Sequence, residues 1–261
     1  MERKAFQLLA QWKANEQRKP LILLGARQVG KTWLMREFGR RCYSSVAYIN
    51  CDAEPLARSL FEADYNLPRM LLTIQAITGV YPEPHHTLII FDELQEAPRG
   101  LHSLKYFQEQ APDYHVVAAG SLLGITLQQG YSFPVGKVDM LTLHPMDFEE
   151  FLMAQDEEGL LRLLQQGDWS VVNGVASKLM EHLRYYYYVG GMPEVVAAFT
   201  QQHDLKVVRQ LQENLLNAYR NDISKHCSKA ESVRIGQVLD SLPSQLAKEN
   251  KNNRLAGKVI L

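Results

Sequence analysis

At 261 residues the chain holds one domain or two, at roughly 150 residues each. Its apolar share of 46% suffices for a substantial core, and 28 Lys and Arg against 29 Asp and Glu leave a net charge of −1. Those values exclude intrinsic disorder, which needs low hydrophobicity and high net charge, and a surface that is a basic nucleic-acid footprint throughout. The three cysteines, Cys42, Cys51 and Cys227, lack the spacing of a disulfide framework or a zinc site and read as reduced thiols. The N-terminus has no signal-peptide core, and no run approaches the roughly 18 apolar residues of a membrane span. The expectation is a soluble, cytoplasmic chain with no membrane partner.

In chain order, residues 1–18 read as an amphipathic helix with Phe6, Leu9 and Trp12 on one side. Leu21 to Leu24 is a continuous apolar run ending at Gly25, which suits a strand buried on both faces. Thr32 to Arg41 predicts a helix with Trp33, Leu34 and Phe38 inward, and Val46 to Ile49 a second strand. Residues 53–79 predict two helices parted by Pro68. Thr87 to Phe91 is a third strand, followed by a helix over 101–110, a fourth strand from His115 to Ala119 and a fifth from Val138 to Leu143. Strands alternating with helices imply crossover connections and a parallel sheet sandwiched by helices. From Phe148 the pattern turns helical, with helices over about 171–188 and 204–221. The expected division is 1–145 for the α/β domain, 146–225 for a helical lid and 226–261 for the start of a further domain. The tail from Lys248 begins polar and ends in the strand-like Val259-Ile260-Leu261, so the chain reads as shorter than its architecture.

Gly25-Ala26-Arg27-Gln28-Val29-Gly30-Lys31-Thr32 matches the phosphate-loop pattern G-x-x-x-x-G-K-[ST] at every fixed position. Gly25 and Gly30 permit backbone angles that turn successive N–H groups toward phosphate oxygens. The helix that follows adds its positive dipole end. Lys31 supplies a point charge between the β- and γ-phosphates, and the Thr32 hydroxyl is a ligand for Mg2+. Arg27 reads either as a phosphate contact or as a solvated charge. The run Leu88 to Phe91 ending in Asp92-Glu93 is the matching second half, with Asp92 holding Mg2+ and Glu93 polarising water as a general base. Val46 to Ile49, between the two motif strands in sequence, favours the ATPase branch with an inserted central strand. Gly120-Ser121 ends the fourth strand, where Ser121 reads either as a γ-phosphate sensor or as a plain turn. Arg99 and Lys137 are finger candidates or solvated loop charges. Gly190 and Pro193 fit a turn between two helices, which accounts for them structurally; the functional reading is that this turn covers the nucleotide base.

Lys19-Pro20 through Thr32, Asp92-Glu93-Leu94-Gln95, Gly120 to Leu123 and Gly190-Gly191-Met192-Pro193 together resemble a prokaryotic AAA-type (AAA_14-like) P-loop ATPase family. Leu143 to Phe151 and Tyr219 to Ile223 are similar to its pattern as well. The resemblance implies a C-terminal domain of the DUF4143 type, reached through a winged helix that Ser241 to Lys248 would begin. It also implies Pro193, with Gly191 before it, against the adenine, and Ser121 at the sensor position. The family has an arginine where this chain has Lys137. The expected function is Mg2+-dependent ATP binding and hydrolysis used as a conformational switch. The alternative is a nucleotide-gated or DNA-associated module that binds ATP with little turnover. Homo-oligomerisation, and a protein or DNA partner through the C-terminal region, complete the expectation.

Overall fold

The structure, a computed structural model, describes residues 1–62, 64–120, 134–226 and 229–246. All five apolar runs are strands: β1 (Leu21–Leu24), β2 (Ser45–Asn50), β3 (Thr87–Asp92), β4 (His115–Ala119) and β5 (Asp139–Thr142). They form one all-parallel sheet in the order β2-β3-β4-β1-β5. The strand inserted between the two motif strands β1 and β3 is therefore β4. β2, which lies between them in sequence, is an edge strand.

Alternate residues of each strand face opposite layers, because successive side chains point to opposite sides of a pleated sheet. Ile22, Ile89, Phe91, Val116 and Ala118 meet α3 (Pro55–Glu62), α4 (Leu67–Thr78) and α5 (Pro98–Gln110) through Phe61, Met70, Ile74 and Phe107. Leu21, Leu23, Leu88, Ile90 and Val117 meet α1 (Ala5–Ala14) and α2 (Lys31–Cys42) through Leu9, Trp12, Leu34 and Phe38. Trp33, expected inward on α2, is instead 44% exposed. It neighbours Leu34 around the helix, and the sheet takes only the Leu34, Met35 and Phe38 side. Pro68 does not part the two helices of residues 53–79 but sits in the first turn of α4. Asn66 caps that helix by accepting from the Arg69 N–H at 3.1 Å.

After β5 come α6 (Phe148–Ala154), α7 (Glu158–Gln166), α8 (Trp169–Gly174), α9 (Ala176–Val189), α10 (Pro193–Gln202), α11 (Leu205–His226) and α12 (Lys229–Leu246). The single helix expected over 171–188 is two, interrupted at Val175, whose ψ of 13° leaves the helical region. Leu152, Leu160, Val172 and Leu179 give these helices a small core of their own. The chain divides into two compact units, Met1–His203 and Asp204–Leu261. The first holds the sheet and α1 to α10. The second holds α11 and α12, tied by Arg220 to Asp240 at 2.6 Å. The winged-helix start expected at Ser241 runs on in α12 as far as Leu246. The rest of that expectation, with Val259 to Leu261, lies outside the described residues. Among the described residues no helix is long and apolar enough to cross a membrane.

Candidate functional site

In an open parallel sheet the carboxyl ends of the strands, where connections diverge, form the natural ligand crevice. β1 ends at Leu24 and passes into Gly25 to Gly30, and α2 starts at Lys31 directly behind this loop. Both loop glycines need their freedom: Gly25 has φ +148° and Gly30 φ +93°. A side chain at Gly25 would also meet the Leu143 carbonyl oxygen at 2.3 Å. Gln28, with φ +64°, takes the left-handed region without being glycine. Ala26 and Gln28 are exposed, Arg27 is half-buried and Val29 is wholly buried.

Lys31 is buried to 7% exposure, and its Nζ donates to the carbonyls of Gly25 and Ala26, each at 2.8 Å. Burial holds its ammonium below the usual lysine range, against the pull of the Glu93 and Asp92 carboxylates. Among the described residues no carboxylate contacts it. Thr32 Oγ1 donates to Asp92 Oδ2 at 2.6 Å, which joins the two motifs across the intervening β4. Tyr48 on β2 donates to the same oxygen at 3.0 Å, and the Glu93 N–H donates to Asp92 Oδ1 at 3.0 Å. Burial, followed by the Asp92 charge, pushes the Tyr48 hydroxyl up to about 12. A hydroxyl and a carboxylate at one point make a hard-oxygen donor set of the kind Mg2+ takes.

Glu93 stands just beyond β3 with φ +51°, and its Oε2 accepts from Gln95 Nε2 at 2.5 Å. The turn Gly190 to Pro193 reaches the same region. Gly190, with φ +74° and ψ −170°, caps α9, and Pro193 opens α10. A Cβ built on Gly30 would lie 3.8 Å from Pro193 Cγ. Gly191 packs so tightly that a Cβ would meet the Met146 carbonyl at 2.1 Å, while the Met146 N–H donates to the Gly191 carbonyl at 2.7 Å.

Gly25 to Thr32, Asp92, Glu93 and Pro193 thus come together at one end of the sheet. Ser121 lies outside the described residues. The finger candidates are engaged elsewhere. Lys137 pairs with Glu109 at 2.9 Å, and Arg99 donates to the Glu62 carbonyl and lies over the Tyr65 ring. Sequence reasoning missed Arg3, Tyr48 and Glu150. The pattern Asp147-x-x-Glu150 is a capping-box signature that could have singled out Glu150. Nothing near Arg3 or Tyr48 in sequence marks either.

No curated protein matches the chain. Among solved structures, the Walker-type ATPase PABY2304 of Pyrococcus abyssi is similar at 18% identity, covering 86% of this chain and 75% of that one, with a TM-score of 0.52. That likeness is one of fold. Looser are the Aeropyrum pernix ORC2 protein (16% identity, 61% of this chain and 51% of that one, TM-score 0.40) and Drosophila ORC bound to DNA (15%, 82% and 66%, 0.41). A family described as a domain of unknown function, DUF8612, matches residues 180–260. This corrects the expectation of a DUF4143-type C-terminal domain. The motifs behind that expectation lie mostly before residue 194, and Tyr219 to Ile223 is too short a stretch to define a C-terminal domain. The AAA domain family AAA_14 matches residues 17–152. Since that span exceeds half its length and contains both motif strands and the glycine loop, this chain belongs to the AAA_14 family of AAA domains.

Proposed function

We propose that Gly25 to Thr32 binds the phosphates of ATP with Mg2+, and that the chain acts as a nucleotide-gated module with little turnover of its own. The observation that carries this reading is Lys31, a buried ammonium held by two loop carbonyls with no contacting carboxylate among the described residues. A buried cation with no carboxylate in contact is costly even with Glu93 and Asp92 nearby, and a phosphate would supply the contacting partner. Thr32 and Asp92 would hold the metal, whose chemistry is to neutralise charge on the bridging oxygen. The backbone N–H groups from Gly25 through Ala26, Arg27, Gln28, Val29 and Gly30 would cradle the phosphates. Residues 1–145 would carry the nucleotide. α6 to α10, the part of the expected 146–225 lid that belongs to the first unit, would form a lid, with Pro193 against the base.

Glu93 is the residue to orient water for hydrolysis, with Ser121 sensing the γ-phosphate. Low turnover is favoured because the Glu93 carboxylate is already engaged by Gln95. Lys137 and Arg99 likewise have partners of their own. Hydrolysis would then call for a cation from a neighbouring copy in a homo-oligomer. With 28 cationic against 29 anionic side chains, the chain has no net positive field to draw in a DNA duplex. Titration calorimetry with ATP and GTP, with and without Mg2+, tests the reading beside a phosphate-release assay. Wild type should bind ATP, Lys31→Ala should bind at least tenfold more weakly, and turnover should stay near background in wild type and Glu93→Gln alike. Robust turnover that Glu93→Gln removes would restore hydrolysis as the main activity. Equal binding by Lys31→Ala would overturn the assignment of the loop.

A further inference from the structure

The side chain of Arg3 is buried at 6% exposure and spends its donors on three partners distant in sequence. Its Nη1 donates to the Val29 carbonyl at 2.9 Å, its Nη2 to the His144 carbonyl at 2.7 Å and its Nε to Glu150 Oε1 at 3.0 Å. Glu150 is itself buried at 5% exposure and fixed from other sides. It accepts from the Lys4 N–H at 2.8 Å, and it forms the capping box of α6 with Asp147, which receives the Glu150 N–H at 2.9 Å. The guanidinium is planar and its donors form a rigid fork, so holding any two partners fixes where the third must lie.

Val29 precedes Gly30 and Lys31 in the loop. A trans peptide is planar, with its C=O and N–H pointing in opposite directions. Pinning the Val29 oxygen therefore aims the Gly30 N–H the other way. The same contact stops that carbonyl from rotating inward, where it would repel an anion. We propose that Arg3 is a positioning residue for the phosphate loop: it locks the Val29–Gly30 peptide in the anion-receiving orientation and ties that orientation to α6 through Glu150. The proposal rests on reading the loop as a phosphate cradle.

The test compares wild type, Arg3→Lys and Glu150→Gln in the full chain, with two readouts. Lysine keeps the charge beside Glu150 but cannot span both carbonyls. ATP affinity by calorimetry should fall about tenfold or more in Arg3→Lys, the size expected for losing a hydrogen bond to a charged group. The Leu34 N–H donates to the Gly30 carbonyl at 2.9 Å, so its amide exchange in the nucleotide-free protein should quicken at least tenfold, while the amides of β3 and β4 keep wild-type protection. A merely structural role would instead lower protection across the sheet and leave the affinity of the folded fraction unchanged. A folded Arg3→Lys with wild-type ATP affinity and wild-type Leu34 exchange overturns the proposal. Should Arg3→Lys fail to fold, Glu150→Gln, which loosens the fork without touching the loop, decides by the same two readouts. Should wild type itself not bind ATP, the cradle reading falls, and exchange at Leu34 still decides whether Arg3 orders the loop.

Discussion

His115 opens β4 at the end of the sheet away from the loop, buried at 3% exposure, with its Nδ1 2.7 Å from the Tyr43 hydroxyl. The rings of Trp12, Tyr43 and His85 stand edge-on to it. Burial first, then electrostatic interaction with Arg18, His85 and Lys13, lowers its pKa to about 3. An unfolded histidine titrates near 6.5. Between those values the unfolded chain takes up a proton that the folded chain refuses. Stability from this residue is thus full above about pH 6.5 and is lost as pH falls toward 3, at no more than ~1.4 kcal/mol per pH unit. We expect His115→Phe to flatten the acid limb of a urea-midpoint profile taken from pH 7 to pH 4. Parallel declines in the two proteins would move the acid sensitivity to other groups. Cys51 behaves differently. Its N–H donates to the Asp92 carbonyl, and burial pushes its thiol up to about 12, so it stays protonated through the neutral range beside the candidate site.

At the scale of elements, α6 depends on its first turn. Asp147 accepts from the Glu150 N–H at 2.9 Å, and Glu150 accepts from the Asp147 N–H at 3.2 Å, which satisfies two of the donors a helix start leaves open. Asp147→Ala should cost ~1 kcal/mol or somewhat more, read as a lower urea midpoint at unchanged slope. A loss near zero would mean that the Lys4 contact to Glu149 holds the turn without the cap. The elements also show what a reader of the sequence can see. β1, β3 and β4 are apolar without interruption because helices cover both of their faces, so each stands out as a run. β5, at an edge, alternates half-buried and exposed residues and is legible only to within a residue at each end. The glycine loop and Asp92-Glu93 are legible because their chemistry is written in consecutive residues. Arg3 is not, since its partners stand 26, 141 and 147 positions away and its role exists only after folding. Trp33 misleads for a related reason: periodicity gives the width of an apolar stripe but not how much of it the sheet will cover.

For the whole molecule, the division after His203 leaves every residue assigned to the phosphate loop, Asp92, Glu93, Pro193 and the Arg3 fork within the first unit. Residues 1–203 should therefore fold by themselves and bind ATP within about threefold of the full chain, a tolerance of under ~0.7 kcal/mol. Calorimetry on the two proteins checks this. A truncated protein that folds but does not bind would show that the nucleotide site needs α11 and α12. The balance of charge over the molecule bears on the same experiment, because without a strong net field the affinity for a nucleotide should rest on local groups such as Lys31.

The strand that carries the glycine loop is flanked by β4 and β5, in register Leu21 to Val117 and Leu21 to Asp139, so both its neighbours arrive about a hundred residues later in synthesis. Pairings of that separation must close long stretches of chain before they gain anything, which makes them late and slow. Arg3 leaves the ribosome 147 residues before Glu150 and waits for it. The cradle can thus be assembled only once translation has passed α6, and a nascent chain halted before that helix should have no grip on nucleotide.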